Sequence, residues 1–172
     1  KEFRAPLLLD DREFLLTISI GIASFPVDGK NEIELLKNAD TAMYQSKKEG
    51  RNTFNFFTQS MNAQVSRKLL LEQRLRGAIE RNELDVHYQL IIDCETGMPS
   101  GAEALVRWNS PELGNISPNE FIPVAEQNGL IVPIGMFVLQ KAVNSAVRWR
   151  SMSEWYSEFK ISVNLSPRQF RS

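Results

Sequence analysis

A carboxylate inside an apolar strand is the first candidate for chemistry in this sequence. In residues 101–108 (GAEALVRW), a period of two places Glu103, Leu105 and Arg107 on one face and four apolar side chains on the other. A carboxylate on a strand covered on both sides is costly unless a cation or a donor meets it. Glu103 therefore indicates a metal ion or a partner base, with a cross-strand ion pair at a wet edge as the alternative.

Asn164 is the second candidate. In residues 160–165 (KISVNL), alternation buries Ile161, Val163 and Leu165 and turns Asn164 to the other side. Barrel enzymes place reacting groups near the carboxyl ends of their strands, and an amide oxygen is a neutral ligand for Mg²⁺. The alternative is a turn-forming Asn that bonds the backbone of the Ser-Pro after it.

Two cations near a predicted helix end form a third candidate. Lys47 extends the apolar stripe through Met43, and Arg51 follows four residues later, just past Gly50. Such cations can hold phosphate oxygens, and they can equally satisfy the last carbonyls and the dipole of the helix.

Several common sites are excluded. His87 is the only histidine and Cys94 the only cysteine, so the chain has no multi-histidine metal site and no internal disulfide. It also has no GxxxxGK phosphate loop, no GxGxxG turn and no HExxH helix.

The elements that must position the first-half candidates form a small α/β unit. Residues 14–25 (FLLTISIGIASF) predict a strand that ends at a Pro-Val-Asp-Gly turn. Apolar residues at helical spacing predict a helix capped by Asn31 and stopped by Gly50, and residues 53–57 predict a short closing strand. Residues 59–81 keep a rough helical period and predict a connecting helix.

The second half reads strand, strand, helix, helix, strand. The predicted elements are strands over 84–92 and 101–108 forming a hairpin, a helix from Ser117-Pro118 to Glu126 stopped by Gly129, a helix over 133–150 and a strand over 160–165. This rhythm is typical of an α/β barrel or a doubly wound sheet.

Composition narrows the function classes. The chain has 172 residues, 42% of them hydrophobic, with 20 basic and 21 acidic residues and a net charge of −1. This predicts a globular protein with no basic patch for DNA or RNA, and no apolar run approaches the length of a membrane span. A single cysteine fits a reducing compartment, so we expect a cytoplasmic location, with tethering to the inner membrane by upstream segments of a longer parent protein as an option.

Particular motifs resemble two families of bacterial second-messenger signalling. The segments SIGIA (19–23), ADTAMY (39–44) and KKEGRN (47–52) resemble the C-terminal half of a GGDEF, or diguanylate cyclase, domain. The segments YQ (88–89), EALVRW (103–108), FIPVAE (121–126) and VNLSPRQF (163–170) resemble the first part of an EAL, or cyclic-di-GMP phosphodiesterase, domain.

The resemblance implies a mixed α/β fold in three parts. These are the C-terminal part of a cyclase-like GGDEF α/β sandwich over residues 1–57, a helical linker over 58–70, and the first strands and helices of an incomplete TIM-like EAL barrel over 71–172. A complete barrel needs about 250 residues, so we expect the general base and the remaining metal ligands of the parent protein to lie downstream of residue 172.

The resemblance also implies roles for residues. Glu103 and Asn164 correspond to metal ligands for Mg²⁺ or Mn²⁺, Lys47 and Arg51 to contacts with GTP phosphates, and four residues to the cyclic di-GMP site, namely Gln89, Leu105, Arg107 and Pro123. Two departures are Leu90, where the family usually has Pro, and Gln127-Asn128, where it commonly has Glu-Thr.

The function implied for the parent protein is metal-dependent hydrolysis of cyclic di-GMP to linear pGpG. We expect this chain by itself to be inactive and the full-length protein to be a homodimer. The alternatives are a degenerate GGDEF–EAL receptor that binds cyclic di-GMP without cutting it, and diguanylate cyclase activity in the GGDEF domain.

Overall fold

The computed structural model describes residues 6–10, 12–152 and 158–170. It divides into two compact units, Lys1–Lys68 and Leu69–Ser172. The domain boundaries inferred from the sequence, after residues 57 and 70, stay predictions. None of the described helices is long and apolar enough to span a bilayer.

The first unit contains a strand–helix–strand motif. Strand β3 (Ile20–Ile22) pairs in parallel with β4 (Phe54–Phe56), and helix α1 (Glu32–Lys48) connects them. Before this motif, β1 (Leu7–Leu9) and β2 (Arg12–Phe14) form a short antiparallel pair. The α/β character predicted for this part of the chain is therefore confirmed.

Helix α1 begins and ends where the sequence predicts. The Asn31 side chain accepts a hydrogen bond from the Glu34 backbone N–H at 2.9 Å, which satisfies one of the free donors of the first turn. At the other end, Glu49 is the last capping residue and Gly50 follows with a φ of 105°. Glycine adopts this backbone region without the steric cost that a side chain adds.

Gly21 and Ser46 fix α1 onto β3. A Cβ on Gly21 would lie 1.9 Å from the carbonyl oxygen of Ala39 and 2.2 Å from the backbone nitrogen of Met43, so only glycine fits. Ser46 is fully buried, and its hydroxyl donates to the carbonyl of Ile20 at 2.8 Å and accepts from the Asn55 amide at 3.1 Å. A buried hydroxyl with both partners carries no desolvation penalty from an unmade bond.

The strand predicted over residues 14–25 is wrong in its length. Phe14 ends β2, and only Ile20–Ile22 pair as β3. The partner strand β4 is three residues long, so it has no further backbone N–H and C=O groups with which residues beyond Ile20–Ile22 could pair. β-propensity fills a strand only where a neighbour supplies hydrogen bonds.

The second unit holds most of the predicted elements. After α2 (Gln59–Leu75), which crosses from the first unit into the second, the elements are β5 (Leu84–Ile92), β6 (Pro99–Ser110), β7 (Gly114–Ile116), α3 (Pro118–Asn128), α4 (Ile131–Arg150), β8 (Lys160–Val163) and a 3₁₀ turn (Pro167–Phe170). Strand β6 pairs antiparallel with β5 and β7 and parallel with β8. The described residues form this open four-stranded sheet and no closed barrel.

Two predicted elements, α2 and β8, end earlier than the sequence pattern indicates. Helix α2 ends at Leu75 rather than Arg81, because Gly77 adopts a left-handed φ of 74° that stops the helix. Strand β8 ends at Val163, and Leu165, predicted to be buried, is 48% exposed. Asn164 therefore lies just past the ladder instead of within it.

The core of the second unit centres on Trp108. Trp108 and Phe121 are both fully buried, and their rings meet edge to face with centroids 5.5 Å apart. Leu71 and Leu75 from α2 are buried in the same cluster. The apolar face predicted for 101–108 is confirmed, since Ala102, Ala104 and Trp108 are at most 3% exposed.

Candidate functional site

Strands β6 and β8 bring Glu103 and Asn164 together. The parallel register pairs Glu103 with Ser162 and Ala104 with Val163, so Asn164 follows directly at the carboxyl end of β8. The Asn164 side-chain amide donates a hydrogen bond of 2.5 Å to Oε1 of Glu103. Two residues 61 positions apart thus present a carboxylate and an amide at one place on the sheet.

The geometry bears on the two alternatives, a cross-strand ion pair for Glu103 and a turn-forming role for Asn164. Within the described part of the chain Glu103 has no ion-pair partner, and Gln89 stands opposite it on β5. The Asn164 side chain bonds across strands rather than to the backbone of the following Ser-Pro. The turn after Asn164 is instead closed by Gln169, whose side-chain oxygen accepts from the Ser166 backbone N–H at 2.8 Å.

Arg107 lies on the same face of β6 as Glu103. Its guanidinium donates to the neighbouring Val106 carbonyl at 3.0 Å, and it forms no ion pair with any residue that the structure describes. A half-buried guanidinium without a carboxylate partner keeps most of its donors free for a phosphate oxygen.

A cleft of about 250 Å³ lies beside β6 and the segment after β8. Leu105, Arg107 and Asn164 are among the residues that line it. Pro123 does not line it and is exposed on helix α3. The structure therefore brings three of the predicted site residues to one cleft, whereas Glu103, Gln89 and Pro123 are not among the residues that line it.

Ser166 and Glu126 hold the segment that carries Asn164, and the sequence analysis did not single them out. Ser166 is buried, and its hydroxyl donates to Oε1 of Glu126 at 2.7 Å. Arg168 also donates from its guanidinium to the Glu126 carbonyl oxygen. These bonds connect the chain after β8 to α3, and the only signal for them was that both residues fall inside the quoted EAL-like motifs.

The donor set at Glu103 and Asn164 fits part of a site for a hard divalent cation. A carboxylate oxygen and an amide oxygen are the ligand types that Mg²⁺ and Mn²⁺ favour. In the described residues, no group of three His, Cys, Asp or Glu side chains comes close enough to hold a metal ion. An ion here would take its other ligands from water, from phosphate oxygens or from further protein residues.

Lys47 and Arg51 lie at the end of α1 and are exposed. Neither side chain has a hydrogen bond or an ion pair with a described residue. Two carbonyls of the last helical turn accept from backbone N–H groups, with the Glu49 N–H donating to Gln45 at 3.0 Å and the Arg51 N–H donating to Ser46 at 3.1 Å. Arg51 itself has a left-handed φ of 64°.

Family models match both parts of the chain. Residues 72–172, more than half of the chain, match the EAL domain model, and residues 1–53 match the model for "Diguanylate cyclase, GGDEF domain". The chain therefore belongs to the EAL domain family and carries a GGDEF match before it. The resemblance drawn from the motifs is confirmed, and so is the α/β fold class with an incomplete EAL fold.

Curated relatives share the arrangement along nearly the whole chain. The "Bifunctional diguanylate cyclase/cyclic di-GMP phosphodiesterase MucR" of Pseudomonas aeruginosa is 42% identical over 99% of this chain and 24% of its own length. The "Cyclic di-GMP phosphodiesterase PdeR" of Escherichia coli is 40% identical over 96% of this chain and 24% of its own length. The chain thus spans about a quarter of these relatives.

Solved structures give the same family. The structure "PaMucR Phosphodiesterase, c-di-GMP complex" matches with a TM-score of 0.55 and 42% identity, over 59% of this chain and 40% of that one. The cAMP and cyclic-di-GMP bound form of the EAL enzyme Bd1971 matches with a TM-score of 0.53 and 28% identity, over 81% of this chain and 36% of that one.

Proposed function

We propose that the full-length protein hydrolyses cyclic di-GMP to linear pGpG with Mg²⁺ or Mn²⁺. Membership of the EAL family and the names of the relatives from Pseudomonas aeruginosa and Escherichia coli support this activity. The observation that carries the proposal is the contact between Glu103 and Asn164, because it gathers two oxygen-bearing side chains on the sheet face that also carries Arg107, which has no ion pair with a described residue.

Each site residue has a distinct role in this proposal. Glu103 and Asn164 hold the divalent ion, which when bound lowers the pKa of water and neutralises phosphate charge. Arg107 binds a phosphate of the dinucleotide, since its guanidinium has donors to spare. Gln89, opposite Glu103 on β5, hydrogen-bonds a base.

Leu105 and Pro123 complete the proposed dinucleotide site from two different elements. Leu105 lines the cleft beside Arg107, where an apolar side chain can pack against a base or a ribose. Pro123 lies on the exposed surface of α3, outside the residues that line the cleft. The general base is expected outside residues 1–172.

The experiment is hydrolysis of cyclic di-GMP by the full-length protein carrying Glu103→Gln. This change keeps the shape and the acceptor oxygen but removes the charge that binds the cation, so we expect at least about a 30-fold lower rate, equal to about 2 kcal/mol. Glu95→Gln is the matched control, because Glu95 lies in the exposed turn between β5 and β6. Wild-type activity in the Glu103 variant would contradict the proposal.

A receptor without catalysis is the second candidate. Among the described residues, no three His, Cys, Asp or Glu side chains lie close enough to hold a metal ion. An EAL domain with an incomplete metal site would still hold the dinucleotide through Arg107 and Gln89. Calorimetric titration with cyclic di-GMP, beside chromatography of the products, separates the two. Tight binding with no pGpG after prolonged incubation with Mn²⁺ would favour the receptor.

The remaining proposals concern the GGDEF part. Lys47 and Arg51 would contact GTP phosphates in a diguanylate cyclase, and the bifunctional name of the Pseudomonas aeruginosa relative supports that second activity. Homodimerisation of the full-length protein and inner-membrane tethering remain predictions. Conversion of GTP to cyclic di-GMP by the full-length protein tests the cyclase proposal directly.

A further inference from the structure

A buried glutamate outside the candidate site has three hydrogen-bond partners, two at its carboxylate and one at its backbone carbonyl. Glu83 is 9% exposed, its Oε2 accepts from the indole N–H of Trp108 at 3.0 Å, and its Oε1 accepts from Nε of Arg81 at 2.6 Å. The Glu83 carbonyl oxygen also accepts from the Asn109 backbone N–H at 2.8 Å. The bonds to the carboxylate, first that from Arg81 and then that from Trp108, hold the pKa of the Glu83 carboxyl below its usual value.

Arg81 extends this group to the end of helix α2. Its Nη2 donates to the Arg74 carbonyl oxygen at 2.5 Å, and its Nη1 donates to the Arg76 carbonyl oxygen at 2.9 Å. Helices leave their last carbonyls without partners, and here a guanidinium satisfies two at the close of α2. Nearby, the Arg74 side chain forms an ion pair with Glu112 in the β6–β7 connection.

Trp108 links this group to the candidate site. It is fully buried, it stands opposite Leu84 in the sheet, and it directly follows Arg107 in strand β6. Arg107 and Trp108 are neighbours in the strand, and their side chains face opposite sides of the sheet. Holding the Trp108 ring in place therefore also restrains the backbone from which Arg107 extends on the other side. The three side chains Arg81, Glu83 and Trp108 are called the clasp here.

We propose that Arg81 and Glu83 are positioning residues that hold the last turn of α2 against β6 and thereby set the placement of Arg107. Within the clasp, the Arg81 guanidinium contacts the carbonyl oxygens at the end of α2, and the buried Glu83 carboxylate contacts the Trp108 indole. A rotation of α2 that pulls on Arg81 therefore displaces the strand carrying the phosphate-binding arginine. The role assigned to Arg107 rests on the proposed function, whereas the attachment of α2 does not.

The clasp is tested first by hydrogen exchange in the full-length protein. Glu83→Gln keeps an acceptor oxygen for Trp108 but loses the charge that binds Arg81, so we expect the amides of the last turn of α2, residues 72–75, to exchange about tenfold faster. Amides of the β5–β6 hairpin should change less than about twofold. Glu95→Gln is the control of equal chemistry, and Arg81→Gln, at a partly exposed position, is the second variant.

The second measurement is the affinity for cyclic di-GMP at a temperature where every variant is folded. Both clasp variants should bind the dinucleotide about fivefold to tenfold more weakly than wild type, because Arg107 is less well held. The Mg²⁺ concentration for half-maximal hydrolysis should stay within about twofold of wild type, since Glu103 and Asn164 lie outside the clasp.

The outcomes separate the two proposals. Faster exchange spread evenly over residues 69–170, or no change at the end of α2, would overturn the clasp. Selective exchange with unchanged dinucleotide affinity would overturn the positioning of Arg107. If wild type binds no cyclic di-GMP, the proposed function and the role of Arg107 fail together, while the exchange result still decides whether the clasp holds α2.

Discussion

The two pairs of candidate residues in this chain are assembled in different ways. Glu103 and Asn164 are far apart in sequence and meet because β6 and β8 pair in register. Lys47 and Arg51 are four residues apart at the end of one helix, and their side chains form no hydrogen bond or ion pair with a described residue. A contact that requires the whole sheet is stronger support for a selected site than two cations that any helix end could carry.

The two ends of helix α2 have different kinds of contact. In the first unit α2 forms polar contacts with α1, with the Lys68 ammonium donating to the Tyr44 hydroxyl at 3.0 Å and the Asn62 amide donating to Asn38 at 3.2 Å. In the second unit Leu71 and Leu75 are buried in an apolar core. Polar contacts at a surface are individually weak, so α2 is held more firmly by the second unit.

The largest expected effect is a complete loss. We expect the 172-residue chain by itself to hydrolyse no cyclic di-GMP, because two protein ligands cannot organise a two-metal site with ions about 4 Å apart. The measurement is chromatography of the product after incubation with Mn²⁺. Turnover above a mock preparation would show that this chain holds a sufficient site.

Ser166→Ala should reveal how firmly Asn164 is held. The change leaves the Glu126 carboxylate without its 2.7 Å donor at a buried position, so we expect about 1 to 3 kcal/mol lower stability in urea unfolding. Ser66→Ala, on the exposed surface of α2, is the control and should change stability by less than about 0.5 kcal/mol. Equal effects from the two substitutions would mean that the Ser166–Glu126 bond does not secure the segment.

Acid should weaken the clasp in a predictable direction. The folded-state pKa of Glu83 is lowered, so its contribution is present above the unfolded-state value of about 4.3 and is lost as the pH falls through the folded-state value. Between pH 7 and pH 3, the free energy of unfolding measured in urea should therefore fall by about 1 kcal/mol more for wild type than for Glu83→Gln. Parallel pH profiles for the two proteins would contradict this assignment.

The smallest effects are expected at Lys47 and Arg51. Alanine at either position should lower stability by no more than about 1 kcal/mol, since exposed charges at a helix end contribute little. If they contact GTP phosphates, each substitution should weaken binding of a non-hydrolysable GTP analogue to the full-length protein. A lower melting temperature with unaltered nucleotide affinity would remove both residues from the proposed GTP site.

Local patterns predicted most of the elements, and pairing decided what they could not. The cap at Asn31, the stop at Gly129 and the β5–β6 hairpin follow from residue types a few positions apart, and all three are present. Strand β3 is short because its partner is short, a property of the sheet that no local pattern contains.

The candidate site divides in the same way. Alternation indicated which face carries Glu103 and Arg107 and turned Asn164 away from the buried side of its strand, and the family motifs implied the role of each. The sequence pattern does not predict the clasp, because Arg81 lies in a stretch that continues a helical pattern and Glu83 resembles an ordinary exposed charge before a strand. Only the tertiary structure brings the Trp108 indole to Glu83.

The most direct test of the central claim is the metal dependence of cyclic di-GMP hydrolysis by the full-length protein and by its Glu103→Gln, Asn164→Ala and double variants. If both side chains hold one ion, each single change should raise the Mg²⁺ concentration for half-maximal activity at least about tenfold. The double variant should be less impaired than the sum of the two single effects, because both side chains bind the same ion. Unchanged metal dependence in both single variants would contradict the account and leave the Glu103–Asn164 contact as a structural hydrogen bond.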